Sequence, residues 1–215
     1  MNDATAAVLA LSLYLAGLAA AFGVRSWIHH RRTGSAGFRG LSGHPGTAEW
    51  WGGVLFAAAL AAGAVGPVLA LVGDVLTWPL PPVLNWAGLV LALVGLLGTL
   101  TAQAGMGASW RIGVDPTERT ALVTTGTFAL VRNPIFTAML TALAGIALMV
   151  PTPVTAAAAL LLLAAVEIQV RRVEEPYLLR THGDAYASYA ARVGRFLPGI
   201  GLLKARHGKR KTHRQ

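Results

Sequence analysis

The chain contains no cysteine. Disulfides, thiolate nucleophiles and cysteine-ligated metals are therefore excluded. Charge is scarce too. Only 13% of the residues are Asp, Glu, Lys or Arg, where a soluble domain carries about 25%. Six histidines remain, but His29, His30, His207 and His213 lie in basic runs. None forms an HxxxH or HExxH pair, so no metal-ligating motif is present. A strand–glycine–helix dinucleotide fingerprint is also missing, as expected of a chain with no α/β domain to hold one.

Apolar residues fill the gap. They make up 54% of the 215 residues, and the mean hydropathy is +0.56. This is the composition of an integral membrane protein, long enough for one compact helical bundle. A span needs roughly 20 apolar residues. The pattern predicts an all-α, polytopic bundle of about five transmembrane helices, at about 4–24, 53–72, 84–106, 135–150 and 154–170. The length of the first run and its lack of a small-residue cleavage site speak for a retained span rather than a removed signal peptide. The last two runs are joined by "PTP", a sharp hairpin turn.

Arg25, Arg31, Arg32 and Arg39 follow the first span, and Arg111, Arg119 and Arg132 follow the third. The 73–85 loop has neither Lys nor Arg, and six of the 18 Lys and Arg fall in the final "KARHGKRKTHRQ". An N-terminus outside and a C-terminus in the cytoplasm of the cell's inner or plasma membrane satisfy the positive-inside rule at every loop. The tail reads as a cytoplasmic segment that can meet anionic lipid headgroups. It has no aromatic residue for base stacking, so nucleic acid is not expected. Gly88, Gly95, Gly98 and Gly105 recur along the third span and predict close helix packing. Trp50, Trp51, Trp78 and Trp86 sit at span ends, as an interfacial belt would place them. Three segments follow: residues 1–83 with two spans and a basic loop, a core at 84–199, and the 200–215 tail.

Polarity that could carry chemistry lies in two stretches, 105–136 and 166–199. Glu167, Arg171 and Glu175, spaced i, i+4, i+8, form an ion-pair ladder on a helix face. Glu167 falls inside an apolar run, where an ionisable residue marks a site by default. Arg172 and Glu174 lie on other faces and can turn towards the same cavity. Pro176 can open a new, short amphipathic helix after a break, with Tyr177, Tyr186 and Tyr189 near the interface. In "TFALVRNPIF", residues 127–136, Asn133 and Pro134 read as the cap and first residue of a helix. Arg132 does not fit, because a cation opposes the dipole at a helix N-terminus. A bound carboxylate would resolve the conflict. In "SWRIGVDPTERT", Arg111 can reach a ligand carboxylate, or Asp115 and Glu118 can pair with Arg119.

"TALVTTGTFALVRNPIF", a helical hairpin and "EEPYLLRTHGDAYASYAARVGRFLP" together resemble the isoprenylcysteine carboxyl methyltransferase family of integral membrane enzymes. The likeness covers about residues 105–199. It implies S-adenosylmethionine-dependent methyl transfer to a lipophilic small-molecule or lipid acceptor, with a carboxylate as the family's acceptor, at the cytoplasmic membrane interface. It implies that Leu122, Val123, Phe128, Asn133, Pro134 and Phe136 line the cofactor, with Arg132 beside them. Glu174 or Glu175 would hold its amino or ribose groups. Arg171 or Arg172 would face the substrate carboxylate, while an amine acceptor would need Glu167 or Glu174 as base. Phe128, Phe136 or Trp110 could stack on the sulfonium or adenine. The chain departs from the family pattern at Asn133, where a histidine is usual, at Phe128 and Phe136, where tyrosines are usual, and at His182-Gly183, where the family has Phe-Gly. Two other readings compete: a steroid-reductase-like NADPH oxidoreductase, and a lipid-binding membrane protein without catalysis.

Overall fold

The computed structural model describes residues 1–37, 42–73, 75–110 and 121–203. Arg39, the foreseen partners Arg111, Asp115, Glu118 and Arg119, and the basic tail from Lys204 lie outside the described residues. Five helices carry the fold: α1 Asp3–Thr33, α2 Ala48–Val72, α3 Pro82–Met106, α4 Pro134–Met149 and α5 Pro153–Ala190. Among the described residues there is no strand, only isolated bridges of Val131 with Gly194 and Leu197 with Ile200. Four of the helices are long and apolar enough to cross a membrane. The fifth, α4, has 16 residues. At about 1.5 Å per residue it falls short of the ~30 Å hydrocarbon layer.

Local signals set the ends. The Asn2 and Thr47 side chains cap α1 and α2, accepting from the Thr5 and Trp50 amides. Thr152 and Thr155 form a capping box with Pro153 at the first helical turn. Gly34 and Gly73 stop α1 and α2 in the left-handed conformation at φ 77° and 79°, which costs glycine little.

α3 lies along α4 and α2 along α5, with α1 against α2. Two of the four foreseen glycines make the α3–α4 contact. A Cβ on Gly95 would stand 2.3 Å from the Ala142 amide nitrogen, and one on Gly88 2.7 Å from the Gly145 carbonyl. Gly98 makes a looser contact with Ala138, and Gly105 has nothing within 4 Å. The apolar core gathers Ala59, Ala92, Leu143, Ile146, Met149 and Leu162 between these helices.

Two helices differ from the sequence-based expectation in the same way. α1 does not end at residue 24 but runs on through a π turn, Ala19–Val24, into the basic run as far as Thr33. α5 does not break at Pro176. It passes through a second π turn, Gln169–Glu174, and Pro176 falls in the first turn of the next α-helical stretch, where its missing N–H is harmless. The non-helical residue is Gly183, at φ 51° and ψ −126°.

Candidate functional site

A cavity of about 750 Å³ opens where the polar stretches meet the bundle. Its size falls within the ~300–1,000 Å³ of small-molecule sites. Leu122, Val123 and Phe128 enter it from the segment before α4, and Arg132, Asn133, Pro134 and Phe136 from the start of α4. Glu174 and Glu175 enter from the end of the α5 π turn. The structure thus brings all nine residues expected around the cofactor to one cavity. Glu167, Arg171 and Arg172 do not line it. Glu167 and Arg171 pair with each other, with Arg171 half exposed, and Arg172 is exposed.

The π turn explains this separation. It adds one residue of rotation, about 100°, so Glu175 leaves the expected ladder and turns inward. There it answers the puzzle of Arg132. The carboxylate at the N-terminus of α4 is the protein's own: Arg132 Nη2 lies 2.8 Å from Glu175 Oε1. Arg195 closes the other side, donating from Nε and Nη2 to the two Glu175 oxygens at 2.8 and 2.9 Å. The three side chains are buried. The hydrogen bond to Glu175 raises the Arg195 guanidinium above its ordinary value, against the lowering effect of burial.

Backbone bonds complete the join. The Arg132 amide donates to the Gly194 carbonyl at 2.8 Å, and the Asn133 amide to the Arg195 carbonyl at 3.1 Å. Arg132 Nη2 also donates to the Gly201 carbonyl at 2.7 Å. The Thr137 hydroxyl donates to the Phe196 carbonyl at 2.9 Å. Asn133 occupies the cap position, yet its side chain does not cap α4. Its Nδ2 donates instead to the Arg195 carbonyl at 3.1 Å. Gly194 is required here, because a Cβ would lie 2.0 Å from the Leu197 carbonyl oxygen.

The tyrosines foreseen at the interface are buried. Tyr186 and Tyr189 meet edge to face at 6.1 Å, and the Tyr189 hydroxyl donates to the Phe128 carbonyl at 2.6 Å. Trp110, also on the cavity, is packed between the Arg25 guanidinium, 5.0 Å from a ring centroid, and the His29 ring at 5.5 Å.

Sequence reasoning gave no role to three residues. Arg195 sat unremarked in "VGRFLPG", and only its partner Glu175 could have drawn attention to it. Glu49 reaches the cavity from the first turn of α2, in the stretch "GHPGTAEW", residues 43–50, whose contact with the site the sequence leaves open. Gln103, an amide inside an apolar span, is the signal that could have been pressed further. Among the described residues, two side chains lining the cavity keep a buried atom without a hydrogen-bond partner: Arg132 at Nε and Gln103 at Oε1.

Residues 83–185 match the phospholipid methyltransferase family, just under half of the 215-residue chain. No curated protein matches it.

Proposed function

We propose, from a chain whose residues 83–185 belong to the phospholipid methyltransferase family, that the cavity binds S-adenosylmethionine and a lipophilic acceptor and joins the two by methyl transfer. The observation that carries this is the cavity itself. It is walled by the RNP and EE motifs, and Arg132, which lines it, keeps a buried Nε without a hydrogen-bond partner among the described residues. That atom fits the carboxylate end of the cofactor. Glu174 is the candidate to receive its amino or ribose groups, ahead of Glu175, whose oxygens already accept from two arginines. Phe128 and Phe136 are the aromatic candidates for the sulfonium or the adenine, since Trp110 is already packed against Arg25 and His29.

When bound, S-adenosylmethionine supplies a methyl carbon to which the acceptor's lone pair forms a bond while the C–S bond breaks and its electron pair returns to sulfur. The protein's part is to hold the two reactants in contact, worth up to ~7–11 kcal/mol in ideal cases, and to exclude water. The carboxylate acceptor implied by the family resemblance would meet Glu49 in the described lining, and an arginine already bound to Glu175. Charge therefore favours a neutral or amine headgroup. We read the site as facing the cytoplasm, because the cavity lies between the ends of the helices that carry the basic loops.

Calorimetric titration of the purified protein with S-adenosylmethionine, and separately with NADPH, is the test. Saturable binding of S-adenosylmethionine, lost in Glu174→Ala with the fold retained, is expected. Binding of NADPH alone would overturn the reading in favour of the reductase.

A further inference from the structure

One wall of the cavity comes from outside the motifs. Phe22 and Ser26 of α1, Phe56 and Leu60 of α2, and Gln103 of α3 form it. Gln103 is 3% exposed. Its Nε2 donates to the Ala21 carbonyl at 3.1 Å. That carbonyl is available because Ala21 lies in the π turn of α1. In an α-helix the Arg25 amide would bond to it, but that amide bonds to Ala20 and Phe22 instead. A carbonyl neighbour must face the NH₂ side of the glutamine. The π turn therefore fixes the orientation of the amide and leaves Oε1, in a side chain that lines the cavity, buried without a donor among the described residues.

A second observation points to what would occupy this wall. A smaller, apolar cavity of about 70 Å³ shares Phe22, Leu60 and Met139 with the first. It runs along Thr99, one helical turn before Gln103, between Leu18, Leu96 and Leu143. The main cavity is polar at Gln103 and Glu49, and the smaller apolar cavity lies behind Phe22, Leu60 and Met139, deeper in the bundle. Glu49 makes no hydrogen bond or ion pair among the described residues and bears the charge that suits a donor-bearing head.

We infer that Gln103 is the specificity-determining residue for the methyl acceptor. It receives an N–H or O–H of an amphiphile's polar head on Oε1, while the apolar part lies along Phe22, Phe56 and Leu60. This rests on the methyltransferase reading for the reaction, but not for the recognition. An acceptor without a donor in its head leaves Oε1 buried and unpaired, a penalty that discriminates strongly between otherwise similar ligands.

The test uses the full chain in nanodiscs and ligand pairs in which methyl groups replace the donor hydrogens: dodecanol against dodecyl methyl ether, and dodecylamine against dodecyltrimethylammonium. In the wild type, the donor-bearing member of at least one pair binds about ten-fold more tightly. Which pair shows it tells a hydroxyl from an amine head. In Gln103→Met the difference disappears. Equal binding within both pairs in the wild type, or a preference that survives in Gln103→Met, overturns the inference. If the variant does not fold, the wild-type pairs decide alone. Because these measurements need no cofactor, a Gln103-dependent preference without S-adenosylmethionine binding would sink the methyltransferase reading and leave the recognition site standing.

Discussion

At Arg132, a residue that opposes the dipole of its own helix is kept because a carboxylate 43 positions along the chain neutralises it. Two arginines share that carboxylate, so its removal leaves two buried cations. Glu175→Gln is expected to destabilise the protein by about 3–5 kcal/mol, read as a lower melting temperature in detergent. Removing Arg195 as well should recover part of the loss, since one buried charge goes with it. A double-mutant cycle measures the coupling, and additive effects would show that the three side chains do not act as a unit. The RNP and EE motifs were legible in the sequence as polar knots in an apolar chain. Their partnership was not. It depends on the direction in which Glu175 faces, and on Arg195, which no local pattern distinguishes from other arginines.

Spacing revealed some elements and concealed others. Apolar runs gave all five helices, and the small-residue stripe on α3 announced a close neighbour. The neighbour itself, Gly145 with Ala138 and Ala142 on α4, could not be read, because close approach belongs to two surfaces and the sequence displays them one at a time. Gly95→Ala places a Cβ against the Ala142 backbone and should cost at least about 1–3 kcal/mol. Gly105→Ala meets nothing within 4 Å and should be neutral or stabilising by about 0.5–1 kcal/mol. Thermal unfolding of the two variants side by side checks this, and equal effects would mean that the α3–α4 contact is not the tight one. The π turns were invisible, since an extra residue in a helical turn leaves no compositional trace. Yet they account for two departures from expectation: they turn Glu175 inward and fix the amide of Gln103. Such turns are found frequently at functional sites.

For the molecule as a whole, we propose that the basic loops lie in the cytoplasm, and the missing cysteines make this simple to test. Ser35, Thr77 and Thr125 are all exposed, so each can carry the chain's single thiol. Ser35→Cys and Thr125→Cys should react with a membrane-impermeant maleimide only from the inner side of oriented vesicles, and Thr77→Cys only from the outer side. Any other pattern inverts the topology. The Arg132 join also has a consequence during biosynthesis. Its carbonyl partners lie 58 and 69 residues further on, and Arg195 comes later than the whole of α5. While the ribosome is still adding those residues, Arg132 stands at the mouth of an apolar helix with no acceptor from the nascent chain. α4 is also too short to reach across the bilayer. Its insertion is therefore expected to be deferred, the segment waiting at the membrane surface until α5 and the Gly194–Gly201 turn arrive to draw it in.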